Sequence, residues 1–331
     1  MSKILITGGA GFIGYHLACE LSSNKSNEVH IVDNFSRAVK DKHLQILLEK
    51  PNVKAYEIDL LDINEIATLE SDYDYIYHLA AVIGVKHVLN RPNDVLRNNV
   101  ILLINMLDFA KRCGGLKRFL FASTSEVYAG TLRYFSLPIP TSENTPLAVN
   151  ALEEPRTSYM LSKIYGEALC HHSGVPYTIF RPHNFYGPRM GMSHVIPELS
   201  KKAYDATDGS SIEVFSVSHK RTFCYIEDAV KLLMLIAENP ECQGSIFNIG
   251  NQEPEVSIGE LAEAVIKVIG KNLSIEAKEP TSGSPSRRCP DISRIVEATG
   301  FKPRVSLTEG ITKTVNWYID NIFAGNDVSA N

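Results

Sequence analysis

The chain has 331 residues, 44% of them hydrophobic, and a formal net charge of −5 from 33 basic and 38 acidic side chains. This composition predicts an ordered globular protein of roughly two domains with a sizeable core. Because the two signs of charge are interspersed and form no basic stripe, we expect no nucleic-acid partner.

Scattered cysteines without Cys-x-x-Cys pairs are typical of reduced thiols and favour a cytoplasmic location. The first predicted strand begins at residue 3, which leaves no room for a signal peptide. No apolar run approaches the roughly 20 residues that span a bilayer, so we expect no membrane insertion. The histidines have no paired spacing with Cys, Asp or Glu, and we therefore assign no metal site.

The first predicted strand, residues 3–7, runs directly into a glycine-rich turn. Gly8, Gly11 and Gly14 stand where the turn is tight, where a pyrophosphate approaches backbone amides, and where helix and strand pack closely. Asp33 closes the next apolar run, residues 28–32, and can accept from both hydroxyls of an adenosine ribose while repelling a 2′-phosphate. The pattern predicts a site for NAD rather than NADP.

Further strand-like runs alternate with helical segments, at residues 53–58, 75–79, 118–122 and 177–180. This alternation predicts an α/β protein with a Rossmann-type doubly wound parallel sheet, whose ligands bind beyond the carboxyl ends of the strands. After residue 181, prolines and mixed short elements predict a smaller C-terminal α/β domain that binds substrate. We expect domains over residues 1–180 and 181–331, with segments near 220–250 returning to the first.

Tyr159 and Lys163 lie four residues apart and therefore on the same face of a predicted helix. A lysine ammonium near a phenol favours the phenolate, so it would lower the tyrosine pKa toward the operating pH. Such a phenolate could remove a proton from an alcohol while hydride leaves the same carbon. The spacing is also common on solvated helices, and the glycine motif is what favours the catalytic interpretation.

These motifs together resemble the extended short-chain dehydrogenases that modify nucleotide sugars, a family of epimerases, 4,6-dehydratases and UDP-glucuronate decarboxylases. The resemblance covers nearly the whole chain and implies NAD, a nucleoside diphosphate-sugar substrate, and a homodimer formed by the helices around residues 102–107 and Tyr159. The cofactor residues that it implies are Gly8, Gly11, Phe12, Ile13, Gly14, Asp33, Asn34, Asp59, Leu60, Leu79, Ala80, Ala81, Asn99, Ser123, Tyr159, Lys163 and Pro182. The substrate residues that it implies are Lys86, Asn184, Arg189, Arg221 and Arg288.

Four of these substrate residues have a specific partner in the substrate. Asn184, Arg221 and Arg288 would contact the diphosphate, since forked donors suit phosphate. Lys86 would pair with a hexuronate carboxylate, or else is a solvated lysine at the start of a helix. Two departures from the family concern the region before Tyr159: Ala129 stands where many relatives carry glycine, and the predicted surface loop over residues 130–155 is longer than in several subfamilies. We therefore expect a different substrate shape.

The most discriminating stretch is Thr124, Ser125 and Glu126. In the family, the Ser/Thr at the position of Thr124 binds the substrate 4-hydroxyl, and an acidic residue follows in decarboxylases and 4,6-dehydratases but usually not in simple 4-epimerases. Once C4 is a ketone, a carboxylate beside C5 can act as a base or assist loss of carbon dioxide, and Ser125 can hydrogen-bond the C6 substituent. The competing interpretation is a carboxylate that caps the following turn.

The sequence therefore predicts an NAD-dependent enzyme that modifies a nucleotide-linked sugar through a 4-keto intermediate, with chemistry at C5 or C6. Its predicted catalytic residues are Tyr159, Lys163, Thr124, Ser125 and Glu126. The alternatives are a nucleotide-sugar 4-epimerase, a C4 dehydrogenase, and an NAD-binding regulatory protein without activity. The base, the sugar configuration and the net reaction stay open.

Overall fold

The computed structural model describes residues 1–135, 138–280 and 285–324, with residues 85 and 86 described by their backbone only. The strands are β1 (Lys3–Thr7), β2 (Glu28–Asp33), β3 (Val53–Glu57), β4 (Tyr75–His78), β5 (Arg118–Ala122), β6 (Tyr177–Pro182), β7 (Phe185–Tyr186), β8 (Ser211–Phe215), β9 (Lys220–Arg221), β10 (Cys224–Tyr225), β11 (Ile246–Ile249), β12 (Val256–Ser257), β13 (Ser274–Lys278) and β14 (Arg287–Arg288). The helices are α1 (Phe12–Leu21), α2 (Lys42–Leu48), α3 (Ile63–Ile66), α4 (Val85–Asn90), α5 (Pro92–Arg112), α6 (Ala129–Tyr134), α7 (Thr157–His172), α8 (Val195–Asp205), α9 (Ile226–Glu238), α10 (Ile258–Ile269), α11 (Ser293–Thr299) and α12 (Leu307–Tyr318).

Within the described residues, the central sheet has seven parallel strands in the order β11, β6, β5, β4, β1, β2, β3. The inner strands are buried on both faces and are therefore rich in apolar residues; every residue of β5 is buried, whereas the edge strand β3 is largely exposed. The strand order reverses between β1 and β4, which opens a crevice at their carboxyl ends. The predicted Rossmann-type α/β fold is confirmed.

Helices cover both faces of this sheet. On one face Leu17 of α1 and Leu232 of α9 pack into a core with Ile31 of β2. On the other face Leu103 of α5 packs into a second core with Phe119 of β5. Since helices flank the sheet on both sides, its open edge at the strand ends is where a ligand can enter.

Most of the chain after β6 forms shorter elements beside this sheet. β8 pairs with β13, and β9 pairs with β12 and β14. The helix α10 begins with a capping box between Ser257 and Glu260 and ends at Gly270 in the left-handed conformation. The strand β11 joins the central sheet beside β6.

The predicted surface loop before Tyr159 is partly built into the protein. A 3-10 helix over Ser125–Tyr128 precedes it, and its first residues belong to the helix α6. Residues 136 and 137 lie outside the described residues. Thr141 and Glu143 are buried, and the Glu143 carboxylate accepts from the Asn248 backbone amide at 2.7 Å. The prediction of an exposed loop was wrong for this part, because a hydrogen bond to a distant strand draws it inward.

All six cysteines carry free thiols. In the described part of the chain, no helix is both long enough and apolar enough to cross a lipid bilayer.

Candidate active site

The glycine turn between β1 and α1 has the conformation and the space that a dinucleotide needs. Gly8 adopts a φ of +67°, and its amide donates to the Val32 carbonyl at 2.8 Å. A Cβ on Gly14 would lie 2.5 Å from the Gly8 carbonyl oxygen, so no larger residue fits there. Gly11 is the N-cap of α1. Because the turn ends at a helix N-terminus, its amides suit a pyrophosphate.

A cavity of about 750 Å³ opens at this turn. Most of the predicted cofactor residues line it: Gly8, Gly11, Phe12, Ile13, Gly14, Asp33, Asn34, Asp59, Leu60, Leu79, Ala80, Ala81 and Pro182. The volume lies within the range of small-molecule sites, and these residues come from the ends of neighbouring strands. The predicted cofactor residues thus come from distant parts of the chain and line one cavity in the folded protein.

Asp33 lies at the end of β2 with its carboxylate held in place. It accepts from the backbone amides of Ala10 at 3.2 Å and Phe35 at 2.9 Å. Burial raises the pKa of the carboxyl group, and those two amide hydrogen bonds oppose the shift. A carboxylate fixed beside the glycine turn fits the ribose of NAD, and its charge disfavours a 2′-phosphate.

Four predicted cofactor residues, Asn99, Ser123, Tyr159 and Lys163, do not line this cavity. The Asn99 amide instead accepts from the Val82 amide at 2.7 Å and donates to the Val82 carbonyl at 3.1 Å. It also donates to the Ser162 hydroxyl at 3.3 Å. Asn99 therefore fixes the loop after β4, which forms part of the cavity wall, to the helix that carries Tyr159.

Tyr159 and Lys163 lie on the same face of α7, as predicted, with the Lys163 ammonium 5.9 Å from the Tyr159 ring centre. The ammonium donates to the Ala122 carbonyl at 2.7 Å, and burial lowers the pKa of Lys163 to about 8. The pKa of Tyr159 is raised by burial and by the charge of Glu126, while a hydrogen bond with Thr124 and the charge of Arg37 lower it. The expected lowering by Lys163 is thus not found, because burial dominates at the phenol.

Glu126 binds an arginine rather than capping its own turn. Thr124 provides the cap, since its hydroxyl accepts from the Glu126 amide at 3.2 Å. The Glu126 carboxylate accepts from Arg288 Nη1 at 2.8 Å, and Nη1 also lies 3.4 Å from the Ser125 hydroxyl. Arg288 holds the pKa of Glu126 below its usual range. Within the described residues, the buried Arg288 Nε has no hydrogen-bond partner, so a donor remains for a ligand.

A second cavity of about 460 Å³ adjoins the first and shares Asn184, Val195 and Phe223 with it. The backbone of Asn184 has a φ of +44°, and its side-chain Nδ2 donates to the Thr222 carbonyl at 2.8 Å. Arg221 lines this cavity as well, and burial together with the neighbouring Arg288 lowers its pKa to about 10. These positively charged walls suit an anionic ligand.

Two other predicted substrate residues differ from the rest. Arg189 lines the first cavity, where it is bonded to the Asp41 carboxylate through Nε at 2.9 Å and Nη2 at 2.7 Å and stacks on Tyr15. Its buried Nη1 has no hydrogen-bond partner in the described part of the chain. Arg189 is therefore on the side of the glycine turn rather than in the second cavity. The Lys86 side chain lies outside the described residues.

Sequence reasoning missed Arg37, which follows Asp33 by four residues and lines the first cavity. Its guanidinium lies 3.8 Å from the position that a Cβ on Gly84 would occupy. Its positive charge interacts electrostatically with both Asp33 and Tyr159. A basic residue shortly after the acidic strand end was the available signal. Arg37 places a positive charge in the wall of the first cavity.

Comparison with known proteins decides the family, since residues 4–250 match the profile of the NAD dependent epimerase/dehydratase family. The chain belongs to this family. It is an NAD-dependent enzyme, and the predicted cofactor is confirmed.

Relatives and solved structures match over nearly the whole length. A UDP-N-acetyl-alpha-D-glucosaminuronate decarboxylase of Bacillus cytotoxicus is 34% identical, with 96% of this chain and 97% of that protein covered. UDP-glucuronic acid decarboxylase 6 of Arabidopsis thaliana is 36% identical, with 93% of this chain and 86% of that protein covered. The UDP-glucuronic acid 4-epimerase of Bacillus cereus, in complex with UDP-glucuronic acid and NAD, is 26% identical with a TM-score of 0.82, covering 96% of this chain and 99% of that one.

Proposed function

We propose that this enzyme decarboxylates a UDP-linked hexuronate through a 4-keto sugar. The observation that carries the proposal is the Arg288 guanidinium bound to Glu126 and close to Ser125. It is supported by the two decarboxylase relatives, each more than 30% identical over most of this chain. The sequence left decarboxylation and dehydration equally open, and the arginine favours a substrate that carries its own carboxylate.

Bound NAD supplies the hydride acceptor and donor at C4. In our proposal the Tyr159 side chain, hydrogen-bonded to Thr124, acts as its phenolate, which faces the sugar 4-hydroxyl and takes its proton as the C4 hydride leaves. Lys163 contributes a positive charge beside the phenol and fixes the Ala122 carbonyl. Asp33 holds the adenosine ribose, and the glycine turn holds the pyrophosphate.

The second half of the proposed reaction takes place at C5 and C6. With a ketone at C4, the C5–C6 bond breaks, carbon dioxide leaves, and the bonding electrons form the C4–C5 enolate. Glu126, beside C5, assists this loss and relays a proton from solvent to C5, and the hydride returns to C4. Arg288 pairs with the C6 carboxylate through its free Nε donor, and this pairing offsets repulsion by Glu126.

We place the nucleotide diphosphate in the second cavity, with Asn184 and Arg221 as its polar contacts. Arg288, which the family resemblance assigns to the diphosphate, lines the first cavity and bonds to Glu126, and we therefore assign it to the C6 carboxylate instead. The buried Nδ1 of His219 in the wall of this cavity has no hydrogen-bond partner among the described residues, which supports a polar ligand there. Lys86 remains a proposed partner of the hexuronate carboxylate.

We also propose a cytoplasmic homodimer. The free thiols of all six cysteines support a reducing compartment. The exposed apolar side chains of Ile104 on α5 and Tyr165 on α7 support association through these two helices. Light scattering of the purified protein measures the mass, and a monomer at micromolar concentration would contradict the dimer.

The reaction is tested by separate incubations with UDP-glucuronate, UDP-N-acetylglucosaminuronate, GDP-mannose and UDP-N-acetylglucosamine, with products read by mass. The proposal expects loss of carbon dioxide from one of the two hexuronates. Loss of water would make the enzyme a dehydratase, and a new stereoisomer of unchanged mass an epimerase.

Neighbouring arginines provide matched variants for the same assay. Arg288→Met should abolish product, whereas Arg287→Met should not, because Arg287 bonds to Glu255 and lines neither cavity. Equal losses in both variants would contradict the role of Arg288.

A further inference from the structure

A buried ion pair lies directly behind the site. Arg181 donates to the Glu167 carboxylate through Nε at 2.8 Å and through Nη2 at 2.6 Å. The two side chains are only 2% and 6% exposed, and neither residue lines either cavity. The free energy needed to remove two charges from water commonly exceeds the free energy of their attraction, so a buried ion pair contributes little to stability. The hydrogen bonds that the pair makes to surrounding residues indicate a role other than stability.

The pair holds both ends of the segment that carries the candidate catalytic residues. At one end the Ser123 hydroxyl donates to Glu167 Oε1 at 2.5 Å. At the other end Arg181 Nη1 donates to the Tyr128 hydroxyl at 2.6 Å, and that hydroxyl donates to Asn248 at 2.9 Å. Thr124, Ser125 and Glu126 lie between these two anchors.

The same pair is fixed to the helix that carries the proposed base. Glu167 follows Lys163 by four residues and Tyr159 by eight, so all three share one face of α7. The negative charge of Glu167 also favours the protonated form of Lys163. One ion pair therefore contacts both the helix that carries the phenol and the segment that carries Glu126.

We propose that Arg181 and Glu167 are positioning residues, which act through Ser123 and Tyr128 to hold Glu126 in register with Tyr159. The inference deepens the proposed function and rests on it, since Glu126 is given its role there. The bidentate geometry is essential to it, because the rigid fork of arginine fixes an orientation that a lysine does not.

Ser123→Ala is the first test, because it removes one hydrogen bond and leaves the ion pair in place. We expect turnover to fall roughly tenfold, the size of losing a hydrogen bond to a charged group, with KM and the NAD dissociation constant within about twofold of wild type. Ser200→Ala is the matched control: Ser200 is equally buried, and its hydroxyl donates to the Ile196 carbonyl of its own helix. Equal turnover in both variants would overturn the proposal.

A double-mutant cycle separates positioning from a general loss of structure. If Ser123 acts through Glu126, then Ser123→Ala should have little further effect on turnover in a Glu126→Gln background. Multiplicative effects in the cycle would overturn the proposal. Tyr128→Phe, which removes the other anchor, gives the same cycle should Ser123→Ala not fold.

Arg181→Lys completes the test by keeping the charge and losing the fork. It should fold, with turnover reduced at unchanged KM; wild-type turnover would overturn the requirement for bidentate positioning. Failure of the proposed function gives a different result: wild-type enzyme then releases no carbon dioxide from either hexuronate. The cycle is then measured with whichever of the four sugar nucleotides is converted.

Discussion

Glu126→Gln separates the chemistry of the site from the stability of the fold. The Glu126 side chain is 42% exposed and bonded to Arg288 at 2.8 Å. An ion pair with that much solvent access contributes only ~0.2–1 kcal/mol to the free energy of unfolding. Loss of a positioned acid-base group, in contrast, lowers turnover by about 10²-fold or more, which is ~2.7 kcal/mol in activation free energy. The variant should therefore fold like wild type and form almost no product.

The assay follows two signals in one reaction. Absorbance of the reduced cofactor should still appear, because Tyr159 and Lys163 are intact, whereas release of carbon dioxide should collapse. Glu255→Gln is the matched control, since it breaks a neighbouring pair with Arg287 at 2.7 Å that lines neither cavity. Unchanged product formation by Glu126→Gln would refute the role of this carboxylate and favour 4-epimerisation.

Other perturbations test the remaining parts of the site. Tyr159→Phe should lower turnover roughly 10²-fold or more by removing the proton acceptor, and near-normal turnover on the true substrate would exclude that role. Asp33→Ala should weaken NAD binding and relax discrimination against NADP in direct titrations, whereas a wild-type preference for NADP would contradict our interpretation. Gly14→Ala brings a Cβ to 2.5 Å from the Gly8 carbonyl oxygen, so the same titration should show loss of NAD binding; an unchanged dissociation constant would mean that the turn can relax. Burial lowers the pKa of Lys163 from 10.5 to about 8, so the folded state binds fewer protons than the unfolded chain between these values. The free energy of unfolding should therefore rise with pH across this window, by at most ~3 kcal/mol relative to Lys163→Met in urea titrations, and an identical rise in the variant would contradict this origin.

The fold was predictable because its signals are local. The sheet strands β1 to β6 begin where the apolar runs begin and end within two residues of them, as the side-chain pattern of buried parallel strands requires. The glycine turn was equally predictable, since Gly8 needs a positive φ and Gly14 needs close backbone contact. Both are constraints on a few neighbouring residues.

The contacts that define the chemistry are not local. Glu126 and Arg288 are 162 residues apart, and no periodicity links them. The pairing of Arg189 with Asp41 spans 148 residues and places that arginine beside the glycine turn rather than in the second cavity. The pKa of Tyr159 depends on burial that the four-residue spacing to Lys163 does not reveal. Family resemblance supplied roles for these residues, but only the folded chain supplies their partners.

The central claim, decarboxylation through a 4-keto sugar, is tested most directly by turnover of a UDP-hexuronate labelled with ¹³C at C6, carried out in D₂O. The account predicts labelled carbon dioxide in equal amount to a pentose product that carries deuterium at C5, because the solvent proton replaces the lost carboxylate. A product that retains the label in the sugar and differs only at C4 would contradict it.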